Sequence, residues 1–257
     1  MSDIITEALI EMHFHRALVE YFSALYGANF LRLLKPSQQQ EAWVGFDQGW
    51  VNIYLTQREF LNELRSAINN QQTNINKFYL GFFLQFKKVE KKVKRSVNTP
   101  NHYYTPYYHS KLFLKPNKSS RRSQHETLLL LQNINNTSVD YACGMLFNVD
   151  DIYQSPDLSK LRFVPISSAP PGWNTTGDHF ICFQTVNDPN PYWRSEPIKG
   201  ISYSIKEWSS SESHGPVKLS PNQLEKMISD VTLLLYNKQI SLTKKILPES
   251  MTIMEFE

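Results

Sequence analysis

Ile10, Phe14, Ala17, Leu18, Tyr21 and Leu25 recur at three- and four-residue spacing, the period of one helix face. The spacing predicts a helix over 4–26, stopped by Gly27. A short strand is expected over 28–34, before Lys35-Pro36-Ser37. The run Glu41–Leu55 is dense in Trp, Val, Phe and Ile and reads as one or two strands with a bend near Gly49. Thr56-Gln57-Arg58-Glu59 fits a capping box, in which the Thr and Glu side chains satisfy each other's backbone N–H groups; it opens a helix to about Asn69. A polar loop follows to Asn76. Phe78–Lys87 is almost wholly apolar and aromatic, as a strand buried on both faces should be.

Beyond a Tyr-, His- and Pro-rich loop at Pro100–His109, Ser123–Ile134 reads as a helix and Val139–Phe147 as a strand. Leu161–Ile166 and His179–Phe183 are further strands. Residues 184–219 are rich in Pro, Asn and Ser and read as a long irregular excursion. Ser220-Pro221 then opens a helix over about 221–237, because proline suits the first helical position. This order of helices and strands predicts an α/β (α+β) fold with a central mixed sheet flanked by helices, plus a C-terminal α+β elaboration. Residues 1–134 are expected to form the core. Residues 135–257 are either the rest of the same domain or an extension of unknown role.

Composition narrows the class. The chain has 257 residues, 41% of them hydrophobic, enough for a sizeable core. No run of 18 residues lacks a charge, so no membrane span is expected. No basic stretch precedes an apolar run at the start, so no secretory leader is expected and a cytoplasmic protein is the default. Two cysteines, Cys143 and Cys182, exclude a disulfide scaffold and a Cys-rich zinc site; both lie in apolar runs as expected buried thiols. The net charge of +3 is unevenly spread. Residues 85–125 hold eleven Lys and Arg against one acid, Glu90, a net +10. The remainder holds 16 bases against 23 acids, a net −7. Such a segment suits a polyanion. Lys88, Lys91, Lys92, Lys94 and Arg95 are its densest part.

The chain has no Gly-rich phosphate loop, no G-x-S-x-G elbow and no H-E-x-x-H. The informative residues are Asp47, Gln85 and Lys87. Asp47 is a lone carboxylate among Trp, Val and Phe. Gln85 and Lys87 lie two apart in an apolar strand and so share a face. Burying such groups without partners is costly. Two side-chain oxygens suit Mg²⁺, a hard cation, and a lysine beside them can orient a water and offset charge on a phosphate.

Gly45-Phe46-Asp47, followed by an apolar strand ending Leu84-Gln85-Phe86-Lys87, resembles the PD-(D/E)xK nuclease superfamily. It is most similar to the Mrr-like, restriction-endonuclease-like branches with Gln-x-Lys in place of Glu-x-Lys. The resemblance covers roughly residues 4–134 and rests on the motif alone. It implies a restriction-endonuclease-like core and a Mg²⁺- or Mn²⁺-dependent DNA endonuclease acting in prokaryotic restriction or antiviral defence, as a homodimer or with a partner protein. Asp47 and Gln85 would then hold the metal and Lys87 would position the attacking water. An acid of the first helix completes such sites. Glu7 and Glu11 both lie on or beside its core-facing side; Glu11 is favoured slightly as a metal ligand, and Glu41 is a further candidate. Gln124, on the helix after the Gln-x-Lys strand, matches a glutamine that some branches place near the site and would contact nucleic acid. Two departures stand out: the Asp47-to-Gln85 separation is long for the family, and Gln85 is a neutral ligand.

Simpler readings stand beside these. Asp47 can satisfy a turn, and Gln-Phe-Lys can be the frayed end of a buried strand. A lysine run is ordinarily a solvated face. Tyr103, Tyr104, Tyr107 and Tyr108, interleaved with His102 and His109, offer stacking surfaces or simply pack on the domain. His13 and His15 read as structural. The rival functions are a non-catalytic nucleic-acid- or partner-binding protein on the same fold and an assembly subunit whose basic face meets an acidic protein.

Overall fold

The computed structural model describes residues 5–26, 32–53, 55–73, 78–96, 99–116, 121–135, 137–170, 179–194 and 198–210. The helix expected over 221–237 lies outside them. In chain order the elements are α1 (Glu7–Tyr26), β1 (Arg32–Leu34), α2 (Gln38–Val44), β2 (Gln48–Ile53), α3 (Gln57–Asn69) and β3 (Phe78–Lys88). Then come β4 (Glu90–Lys92), β5 (Tyr107–Leu112), α4 (Gln124–Gln132), β6 (Thr137–Gly144), α5 (Val149–Tyr153) and β7 (Leu161–Pro165). The last are β8 (His179–Phe183), β9 (Tyr192–Arg194), β10 (Ile198–Lys199) and α6 (Ile205–Ser210).

The fold is α+β. A mixed five-stranded sheet runs β1-β2-β3-β6-β7. β3 is antiparallel to β2 and parallel to β6, pairing Gln85 with Tyr141 and Lys87 with Cys143. β3 is therefore the central strand its composition predicts. Its even-numbered residues Phe82, Leu84 and Phe86 pack with Ile10, Phe14, Leu18 and Phe22 of α1, as the helical spacing in α1 requires. Phe83 faces the other way, into a core shared with Phe46, Leu128 of α4 and Phe60, Leu61 and Leu64 of α3.

A second antiparallel sheet, β10-β9-β8-β5-β4, was not expected from the sequence. The last three residues of the anticipated aromatic loop, Tyr107–His109, belong to β5, and β9, β10 and α6 interrupt the stretch read as irregular. These strands are two to six residues long, too short to show a period. Three of the four loop tyrosines pack: Tyr103 and Tyr107 are buried, and Tyr108 packs partly buried against the core, near Phe147. Tyr104 remains exposed.

The expectation of strand over 41–44 is corrected. Ser37 and Gln40 form a reciprocal capping box that starts α2, and Gly45 ends it at φ 82°, a left-handed conformation that glycine adopts freely. Glu41 therefore lies on a helix and does not share a strand face with residue 47. Thr56 and Glu59 cap α3 in the same way, and Ser123 with Glu126 caps α4. Cys143 and Cys182 are buried free thiols. No helix among the described residues is long and apolar enough to cross a membrane.

Candidate active site at the end of the central strand

Asp47 sits between the end of α2 and the start of β2. Its backbone N–H donates to the Leu84 carbonyl at 2.9 Å, which extends the β2–β3 pairing and holds Asp47 beside Gln85. Oδ2 of Asp47 accepts from Gln85 Nε2 at 2.8 Å and from the Phe86 N–H at 2.7 Å. Gln85 Oε1 accepts from Gln124 Nε2 at 2.7 Å. Gln124 is the first residue of α4, and that helix start lies against Gly45, where an added Cβ would meet the Gln124 carbonyl at 3.3 Å. The left-handed glycine thus lets α2 end close enough to α4 for Gln124 to reach Gln85.

Lys87 closes the group. Its Nζ lies 3.3 Å from Gln124 Oε1 and 3.3 Å from both carboxylate oxygens of Glu7 in the first turn of α1. The residue is only 2% exposed. The alternative reading of Gln85-Phe86-Lys87 as a frayed strand end is therefore corrected, since β3 continues to Lys88 and Lys87 meets α1 and α4. The structure brings together Asp47, Gln85, Lys87, Glu7 and Gln124.

Glu11 lies one helical turn further along α1 and takes other partners. It pairs with Lys35 Nζ at 2.5 Å and accepts from Gln48 Nε2 at 2.8 Å. Glu41 lies 3.9 Å from the same lysine. His15 contacts Gln48 at 3.3 Å and His13 contacts the Ile152 carbonyl at 3.1 Å, which suits structural roles. Gln48 is the residue that sequence reasoning missed. It is fully buried and ties Glu11 and His15 to the residue after Asp47. A polar side chain next to Asp47 in an apolar run was the available signal.

The environment moves Asp47 to a neutral-range acid. Burial pushes its carboxyl up to about 7, against the Lys87 ammonium and the Phe86 N–H, which pull it down; the Glu11 and Glu41 carboxylates add to the rise. Asp140 on β6 is also pushed to about 7 by burial, and it is bonded to Trp208 and Ser138.

Among the described residues no three His, Cys, Asp or Glu side chains gather as a cation site. The oxygens here are of mixed kind. Gln85 Nε2 donates to Asp47 Oδ2 and, at 3.3 Å, to the Phe86 carbonyl, so a carboxylate and a main-chain oxygen converge on one electropositive amide group. A hard divalent cation takes such oxygens, and the Gln85 amide turned over would present its own oxygen to it, at the loss of the bond from Gln124. The donor set fits a weakly held Mg²⁺ or Mn²⁺.

The basic segment divides. Lys91 and Lys94 are exposed. Lys88 and Lys92 lie 3.4 Å and 2.7 Å from Glu90. Arg95 is engaged within the fold, donating to the carbonyls of Pro100, Asn101 and Tyr103. Comparison of the chain with protein-family models and with curated protein sequences finds no match.

Proposed function

We propose that the chain is a metal-dependent DNA endonuclease with a restriction-endonuclease-like core. One observation carries this reading. Asp47, just before β2, meets Gln85-x-Lys87 of the adjacent β3, with Glu7 and Gln124 closing the group from two helices. The strand order supports it: β1, β2 and β3 form an antiparallel meander, and β6 returns parallel to β3 after α4. The setting in prokaryotic restriction or antiviral defence comes from the motif resemblance alone.

Asp47, Gln85 Oε1 and the Phe86 carbonyl would hold a Mg²⁺ or Mn²⁺, which would supply electrostatic stabilisation at the phosphate. Lys87 donates to the attacking water or to a phosphate oxygen. Glu7 fixes the direction of its ammonium, and the surrounding apolar side chains strengthen its field by excluding water. Asp47 must lose its proton to bind the cation, and its placement near 7 makes that loss easy at neutral pH. Lys91 and Lys94 would meet the DNA backbone.

The test is nicking of supercoiled plasmid with and without Mg²⁺. Cleavage that needs the metal and vanishes in Lys87→Met supports the reading. Metal-independent or absent cleavage by the folded protein overturns it.

A second reading, a non-catalytic nucleic-acid- or partner-binding protein on this fold, is favoured by one observation. Gln85 already satisfies Asp47 by hydrogen bonding, so the group is complete without a metal. DNA binding without cleavage under the same conditions selects it.

A further inference from the structure

A cavity of about 390 Å³ adjoins the site, sharing Glu7 with it and starting at Lys88, the residue after Lys87. Its size falls in the range of small-molecule sites. Three ammonium groups line it: Lys88, Lys92 and Lys111. The acid between them, Glu90, is held at about 2, chiefly by the Lys92 ammonium and then by Lys88, against the opposing effect of burial. Lys88 and Lys92 thus gather around one carboxylate, at 3.4 Å and 2.7 Å.

The rest of the lining is aromatic. Phe113 is 60% exposed, with Lys111 Nζ 5.7 Å from its ring centre. Opposite in chemistry is His109, nine-tenths buried and stacked on Phe180 with ring centroids 4.7 Å apart and planes 6° from parallel. Its Nδ1 is buried without a hydrogen-bond partner. Burial pushes the imidazole down to about 4, so the ring is neutral at pH 7, and its Nε2 lies 3.6 Å from the Glu90 carboxylate. Phosphate-binding cations and an open aromatic face are two things a nucleotide uses.

We infer that this cavity is a subsite for one unpaired nucleotide of the strand being cut, with its phosphate among Lys88, Lys92 and Lys111 and its base on Phe113. The inference rests on the endonuclease reading and names its substrate class. A base stacked and paired within a duplex cannot enter such a cavity unless it leaves the stack. The substrate is therefore a strand with an unpaired segment, such as a single-stranded tail or a frayed end. Glu90 holds Lys88 and Lys92 in place when no phosphate is present.

Binding is measured by calorimetry on the full chain carrying Lys87→Met, with dAMP, inorganic phosphate and deoxyadenosine as separate probes. We expect dAMP to bind at least tenfold more tightly than either fragment. Phe113→Ala should bring dAMP down to the level of phosphate, and Glu90→Gln should tighten dAMP severalfold by removing the competing carboxylate. Equal binding of the three probes, no binding of any, or a dAMP affinity indifferent to both substitutions overturns the subsite. Cleavage separates it from the endonuclease reading. The otherwise unaltered protein should cut a tailed duplex at least tenfold faster than a blunt one, and Phe113→Ala should erase that difference. Metal-dependent cutting of both forms at one rate overturns the subsite and keeps the nuclease. Specific dAMP binding by a protein that cuts no DNA keeps the nucleotide site and overturns the nuclease.

Discussion

Gln85 donates its amide N–H to Oδ2 of Asp47 at 2.8 Å, across 38 positions of chain and from one strand to the next. Without a bound cation this contact puts a partial positive charge where the proposed metal would sit.

The placement of Asp47 makes stability depend on pH. The folded protein keeps a proton near 7, whereas the unfolded chain loses it near 3.8. This contribution is complete below the unfolded value and is lost as pH rises through about 7, because the native state binds more protons in between. The full shift corresponds to a loss of at most about 4 kcal/mol. Asp47→Asn should flatten the fall in urea stability between pH 5 and 8 and should be more stable than the parent at pH 8. Asp140 titrates in the same range, so a smaller slope should persist. An unchanged slope in Asp47→Asn would assign the effect elsewhere.

Gln85→Glu replaces a donor with a second carboxylate 2.8 Å from the first. Without divalent cations the melting temperature should drop several degrees at pH 8 through like-charge repulsion. Added Mg²⁺ should recover that loss and exceed the gain it gives the parent, since a charged oxygen holds the cation more tightly. Melting curves at several Mg²⁺ concentrations decide it, and equal gains for both proteins would mean that Gln85 does not face the ion.

Lys87 is enclosed, so its removal must be made with shape in mind. Lys87→Met keeps the stem and should lower plasmid cleavage by at least a hundredfold, with Mg²⁺ affinity little changed. Glu7→Gln keeps an acceptor for the ammonium at 3.3 Å and should cost less, roughly tenfold in rate. Single-turnover rates at saturating DNA provide the comparison. Equal losses in the two variants would make Glu7 more than an orienting group.

The basic segment should behave as two classes. Reversing exposed Lys91 and Lys94 to Glu should weaken binding to unrelated DNA sequences alike and reduce the salt slope by about one per lost phosphate contact. Arg95→Ala should instead reduce thermal stability, because its guanidinium holds three loop carbonyls. Binding titrations at two salt concentrations, beside melting curves, separate the two. Indifference of DNA affinity to the double reversal would leave Lys91 and Lys94 a solvated face.

Local signals in the sequence suffice for α1, α3, α4 and β3. Capping boxes and apolar periods are set by residues within a few positions of each other, and Thr56 with Glu59 acts in the fold as it reads in the chain. The same kind of signal, Ser37 with Gln40, starts α2, while the apolar run at 42–46 that follows reads as strand. The strand face shared by Gln85 and Lys87 was legible, because a period of two needs no tertiary knowledge. Their partners were not. Glu7 and Glu11 lie one turn apart on one helix, and nothing local separates them. Only the packing of α1 decides that Glu7 reaches Lys87 while Glu11 turns to Lys35 and Gln48. That packing is close where Gly144 meets Ile10: a Cβ there would lie 2.4 Å from the Ile10 side chain. The absence of a side chain at the end of β6 thus sets how α1 lies on the sheet, and so which acid meets the lysine.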